Sequence, residues 1–245
     1  YGHDALDFSA NVSPLGVPEA VARAIGEAAF QADQYPDPLC RALTAALSRT
    51  EAVPKTWILC GNGAADLIFR LALAEKPKHA LVLAPTFAEY AAALESVDCE
   101  IHRHMLREEN DFALTDDVLN AIEPPIDRVF LCQPNNPTGQ AADRTLMRRI
   151  LAKCEAVGAR LAVDECFLDF LPDGEAWTMK PELAAHPGLL ILKAFTKLYG
   201  MAGVRLGYGF CADEDLLARM RRAGQPWAVS SLAQTAGLAA LGQTE

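Results

Sequence analysis

The stretch "ILKAFTKLYGMAGVRLGYGF" (residues 191–210) places Lys197 and Arg205 at the close of an apolar run. A lysine there usually carries its charge out to water over its own methylenes. Held near other positive charge, it can instead lose its proton and attack a carbonyl. Arg205 sits among glycines that allow close backbone approach, and its planar fork suits a phosphate. Asp164, in "LAVDECF", ends another apolar run, where an ionised carboxylate needs a partner. That partner is either the next turn, which it would cap, or a bound cation.

Two loops add to the set. In "CGNGAAD", Gly61 and Gly63 precede a helix whose first N–H groups and dipole favour an anion. A plain strand-to-helix turn reads the same way, and no Gly-Lys-Ser/Thr follows to make a Walker loop. "LCQPNNPTGQ" is stiffened by two prolines and presents asparagine amides in set directions. Each feature alone has an ordinary explanation. Together they match the needs of pyridoxal phosphate: an amine for its aldehyde, an acid for its ring nitrogen and a pocket for its phosphate.

Such groups need elements that bring them to one place. Short β-branched runs alternate with Ala/Leu-rich stretches, the pattern of a mainly parallel sheet. The strands expected are Trp57–Cys60, Ala80–Ala84, Glu100–Met105, Arg128–Cys132, Arg160–Val163, Leu189–Leu192 and Leu206–Cys211. Helices are expected over Ala64–Ala74, Thr86–Ser96, Asp143–Val157 and Glu214–Ala223, and over two earlier stretches, the first with Pro18 in its opening turn. Five of the strands end in "GNGAAD", "PTFAEY", "QPNNPTG", "DEC" and "KAFTK". Ligands bind beyond the carboxyl ends of strands in open parallel sheets, so these endings predict one shared edge.

A net charge of −10 argues against nucleic acid as the main partner, and the Arg219–Arg222 cluster reads as a solvated helix face. With 51% hydrophobic residues the chain has material for a core, and no apolar run reaches membrane-spanning length. Seven scattered cysteines without a CxxC predict reduced, buried thiols and a cytoplasmic protein. His102 and His104 share a strand face, but no Cys or carboxylate cluster accompanies them in sequence, so no metal is expected.

"PNNPTG", "DECFLDF" and "FTKLYGMAGVRLGYG", in this order, resemble the fold-type I pyridoxal phosphate enzymes of the aminotransferase class I/II superfamily. The resemblance covers essentially the whole chain. It implies a three-layer α/β/α large domain whose mostly parallel sheet has one antiparallel strand, near Leu206–Cys211. Two branches compete, the histidinol-phosphate aminotransferases and the L-threonine-O-3-phosphate decarboxylases of cobalamin biosynthesis. "LDFSANVSPLG", "WILCGNGAADLIF", "PTFAEYAAAL" and "PWAVSSLAQTAG" look more like the decarboxylases, so decarboxylation is the expected activity. Transamination, or cofactor binding without turnover, is the alternative.

The same resemblance implies roles for single residues. Lys197 would carry the cofactor and Asp164 would pair with its ring nitrogen. Asn136 would reach the ring 3-oxygen and the substrate, and Phe87 would stack on the ring. Gly63, Ala64, Thr196 and Arg205 would hold the phosphate, and Asn11 would touch a small phosphorylated amino-acid substrate. Tyr35 would reach the site of a neighbouring subunit in a homodimer. Ala194 stands where relatives usually have Ser or Thr, and Phe167 where the aminotransferases usually have Tyr. On this reading residues 1–30 are an arm and first helix, and 31–245 the cofactor-binding large domain. Family members continue for roughly another hundred residues, enough for a small C-terminal domain that this chain lacks.

Overall fold

The computed structural model describes residues 10–242. Of the N-terminal arm, residues 1–9 lie outside the described residues. Seven strands form one sheet: β1 (Ile58–Gly61), β2 (His79–Ala84), β3 (Glu100–Met105), β4 (Arg128–Cys132), β5 (Arg160–Asp164), β6 (Leu190–Ala194) and β7 (Gly207–Cys211). Their order is β1-β7-β6-β5-β4-β2-β3. From β3 to β6 every pairing is parallel, while β7 runs antiparallel to both β6 and β1.

Strands covered on both faces read as continuous apolar runs. β4 ("RVFLC") is buried throughout, and β6 ("LILKA") through its first four residues. β3 is one of the two edge strands, β1 being the other, and reads "EIHRHM", polar enough to discourage further pairing. Alternate side chains enter two separate cores. Leu81, Leu83, Val163 and Ile191 pack with α2 (Arg41–Glu51), α5 (Arg144–Val157) and α7 (Ser231–Leu241). Ala80, Val82, Phe130 and Leu192 pack with α3 (Gly63–Glu75), α4 (Glu89–Glu95) and α6 (Glu214–Ala223). The expected three layers and single antiparallel strand are therefore present.

Element ends follow local chemistry. Asp143 caps α5 by accepting from the Leu146 N–H at 2.8 Å, and Gly158 closes the helix at φ +80°. The expected helix from Asp143 thus starts one residue later, with Asp143 as its cap. Pro18 likewise precedes α1 (Glu19–Ala28) as its N-cap rather than lying in its first turn. The helix expected from Thr86 begins only at Glu89, because Thr86 is engaged with Asn135. All seven cysteines are buried and unpaired, as their spacing implied.

Candidate active site

The strand endings converge as the sequence predicted. A cavity of about 100 Å³ is lined by Ala64 and Ala65 after β1, Phe87 after β2, and Cys132 and Asn136 from β4 and its loop. Asp164, Cys166 and Phe167 come from β5, Ala194, Thr196 and Lys197 from β6, and Arg205 from just before β7. Arg205 precedes its strand whereas the others follow theirs. The antiparallel pairing resolves this: Gly207 lies opposite both Gly61 and Ala194, so the start of β7 meets the ends of β1 and β6.

Register also selects the face. Cys132 pairs with Asp164, and Asp164 with Leu192, so Cys132, Asp164 and Ala194 point to the α3–α4 side. Lys193 points the other way, where its Nζ lies 3.0 Å from Asp169 and 3.5 Å from Glu51. Burial opposes its charge, but Glu51 and Asp169 outweigh burial and hold the ammonium above the ordinary lysine range. Lys197 lies in the turn three residues beyond β6, half-buried. Its Nζ sits over the Phe167 ring, 4.9 Å from the centroid, and has no hydrogen bond or ion pair among the described residues. Of the two lysines, only Lys197 has an uncommitted amine.

Asp164 is buried and held at both oxygens. One accepts from the Tyr90 hydroxyl at 2.8 Å and the other from the Cys166 N–H at 3.0 Å. Tyr90 is locked by Phe130, stacked at 5.5 Å, and by Phe87, edge-on at 5.5 Å. Burial and then the Asp164 charge push the Tyr90 hydroxyl well above its ordinary range, so it stays a donor. Burial and then Asp164 push the Cys132 thiol up to about 12 and raise that of Cys166, so neither is a thiolate nucleophile near neutrality.

The helix end opposite is built for close approach. Gly63 starts α3 at φ +80°, and a Cβ there would lie 2.7 Å from Arg205 Nη2. The backbone conformation favours glycine here, and any side chain would push the Arg205 guanidinium aside. A Cβ on Gly207 would lie 2.5 Å from the Ala64 nitrogen, so β7 backs directly onto the helix start. The free N–H groups of this first turn, with Arg205 beside them, make an anion cradle.

The stiff loop divides labour between its asparagines. Asn135 accepts from Thr86 Oγ1 at 2.7 Å and donates to the Pro85 carbonyl at 3.1 Å, tying the loop to the end of β2. Asn136 is left to face the cavity. Asn11 donates to Asn136 Oδ1 at 3.4 Å and lines an adjoining cavity of about 380 Å³ with Phe167 and Phe170. The arm bearing Asn11 is anchored where the Ser13 N–H meets the Lys197 carbonyl at 2.9 Å. Tyr35 is not part of this cavity; it is 84% exposed and packs tilted against Trp227, ring centroids 5.1 Å apart.

The aminotransferase class I and II family model matches residues 3–245. The chain belongs to that family. It is 43% identical to threonine-phosphate decarboxylase of Salmonella typhimurium, over 96% of this chain and 64% of that protein's length. In three dimensions it resembles the histidinol-phosphate aminotransferase of Clostridium acetobutylicum (26% identity, TM-score 0.88, covering 98% of this chain and 70% of that one). It also resembles the L-threonine-O-3-phosphate decarboxylase of Porphyromonas gingivalis (25% identity, TM-score 0.84, covering 97% and 69%).

Within this class I and II chain, Ala64, Phe87, Asn136, Asp164, Thr196, Lys197 and Arg205 line one cavity, and Gly63 abuts Arg205. Ala194 lines it too without offering a hydroxyl, and Phe167 supplies a ring to Lys197. Sequence reasoning missed Tyr90, whose hydroxyl sets the Asp164 carboxylate. Its signal was present in "PTFAEY": a tyrosine facing the core of a short helix must find a partner for its hydroxyl.

Proposed function

We propose that this chain forms the cofactor-binding part of a pyridoxal-phosphate-dependent decarboxylase acting on L-threonine O-3-phosphate. The observation that carries the reading is the uncommitted Lys197 amine in one cavity with a buried, doubly held Asp164 and an arginine-flanked helix start. The residues fit the cofactor on chemical grounds. A Cβ at Gly63 would crowd the cradle, Arg205 offers a bidentate donor, and Asp164 offers a carboxyl group fixed by two hydrogen bonds away from water. When bound, pyridoxal phosphate supplies an aldehyde that condenses with amines and a ring that withdraws electrons.

The protein's own groups then have distinct tasks. The α3 N–H groups, Thr196 and Arg205 would hold the phosphate. Asp164, aimed by Tyr90 and the Cys166 N–H, would pair with the ring nitrogen and favour its protonated form, and Phe87 would offer a face to the ring. Asn136 and Asn11 orient the substrate at the mouth of the larger cavity. Lys197 Nζ, free of polar partners, can deliver the proton that replaces the departing carbon dioxide. Phe167 supports decarboxylation over transamination, because it presents no hydroxyl at a place where the aminotransferases usually have one. On this reading the pathway is cobalamin biosynthesis, the setting cytoplasmic, and the assembly a homodimer in which exposed Tyr35 serves the neighbouring site.

The likeness to a histidinol-phosphate aminotransferase fold favours a second reading, transamination. Substrate chemistry separates the two, since phosphothreonine has a carboxylate to lose and histidinol phosphate has none. The whole protein is expected to release carbon dioxide from threonine phosphate and to convert histidinol phosphate poorly with 2-oxoglutarate. Better turnover of histidinol phosphate, with no carbon dioxide, overturns decarboxylation. Unlabelled Lys197 after borohydride treatment of the cofactor-loaded protein overturns the site itself.

A further inference from the structure

We propose that His79, Glu100 and His102 form a binding site for a divalent transition-metal ion of the zinc type. The site arises from strand register. β2 and β3 run parallel with His79 opposite Glu100 and Leu81 opposite His102. Alternation along each strand puts His79, Glu100 and His102 on one face. Their ligand atoms all lie within 4.8 Å of one another.

The separations themselves point to an ion. His102 Nε2 is 3.4 Å from His79 Nδ1. The two Glu100 oxygens are each 3.5 Å from one imidazole nitrogen, Oε2 from His79 and Oε1 from His102. These are long for hydrogen bonds, which cluster near about 2.9 Å. They match the edge of a coordination tetrahedron: with metal–ligand bonds of about 2.0–2.1 Å, adjacent ligand atoms stand about 3.3–3.4 Å apart. The two imidazole nitrogens already stand one such edge apart, and a Glu100 oxygen within 4.8 Å of both supplies the third corner by a small rotation of its carboxylate. The fourth is open, because the three side chains are 30%, 66% and 37% exposed.

Donor type selects the ion. Two imidazoles and one carboxylate suit zinc, cobalt, nickel or copper, whereas magnesium and calcium prefer an all-oxygen shell. The site lies at the amino ends of β2 and β3, some five residues or roughly 17 Å along the strand from the edge that carries the cavity. A bound ion would therefore cross-link the edge strand to its neighbour rather than take part in cavity chemistry. The seven cysteines are all buried and do not compete for it on the surface.

Zinc binding to the chelator-stripped, refilled whole protein tests this by competition with a colorimetric zinc indicator. One zinc ion per chain is expected, with calcium and magnesium unable to displace it. His102→Gln and His79→Gln should each weaken binding by roughly 100-fold or more, since even outer-shell partners of a metal are worth ~10–100-fold. Zinc should raise the melting temperature of the parent protein and leave that of the double variant unchanged. Should a variant fold poorly, Glu100→Gln, at the most exposed of the three positions, serves as the replacement. Absence of zinc binding, or binding of equal strength in the double variant, overturns the proposal.

Discussion

Alanine at Gly207 tests whether β7 sets the position of the anion cradle. The added Cβ would lie 2.5 Å from the Ala64 nitrogen and 2.6 Å from the Gly63 carbonyl carbon, both backbone atoms. Ordinary contact begins at 3.4 Å, so the helix start must retreat by about 0.9 Å (3.4 − 2.5). β7 cannot yield instead, because it is paired on both sides, to β1 and β6. Overpacking of this kind costs about 1–3 kcal/mol. At roughly 2–4 °C per kcal/mol for a chain of this size, the melting temperature should fall by about 2–12 °C. The first-turn N–H groups move with the helix. Losing the equivalent of one charge-assisted hydrogen bond, about 1.5–3 kcal/mol, would weaken pyridoxal phosphate binding roughly 10- to 100-fold. Fluorescence titration with pyridoxal phosphate and a thermal melt read the two effects. Gly203→Ala is the control, since a Cβ there meets nothing within 4 Å, and it should behave as the parent. Unchanged affinity and melting in Gly207→Ala would refute the geometric argument.

Tyr90→Phe keeps the ring stacked on Phe130 but removes a donor to a buried carboxylate, so stability should fall by about 1.5–3 kcal/mol in denaturant unfolding, with a parallel loss of turnover. Lys197→Ala should change stability by no more than about 0.5 kcal/mol while abolishing borohydride-fixed cofactor. Lys193→Met should do the reverse, destabilising by about 1–3 kcal/mol, because Glu51 loses one cation while keeping Lys180 and the Tyr208 hydroxyl. Equal labelling loss in both lysine variants would remove the distinction between them. Glu165 is held at about 7 by burial, above the carboxylate value of 4.5, so the folded state keeps a proton that the unfolded chain releases. Its contribution is thus full below about 4.5 and lost as pH rises through about 7. Glu165→Gln should flatten the fall in stability across that window, and an unchanged pH profile would show that Glu165 is not its source.

What the sequence determined by itself was whatever depends on neighbours along the chain. The sequence marked all seven strands to within about two residues; six of them are apolar runs, because burial leaves little choice of side chain, while β3 is a polar edge strand. Glycine, proline and asparagine marked the loops, because few other residues take those backbone conformations. The strand endings therefore disclosed the cavity residues and, through their order, the family. Tertiary structure decided everything that depends on which strands lie side by side. The antiparallel course of β7 brought Arg205, which precedes its strand, to the same edge as residues that follow theirs. The end of β6 separated Lys193, inside the strand and neutralised by Glu51 and Asp169, from the uncommitted Lys197 in the turn beyond it. Asn135 and Asn136 are indistinguishable as letters; contact with Thr86 and Pro85 made one structural and left the other facing the cavity. The histidines carry the same lesson. His102 looked like the partner of His104 on its own strand, yet His104 turns to Asp117, and His102 meets His79 and Glu100 through the register with β2. Proximity across a sheet is set by pairing and register, and residue spacing along one strand carries no record of them.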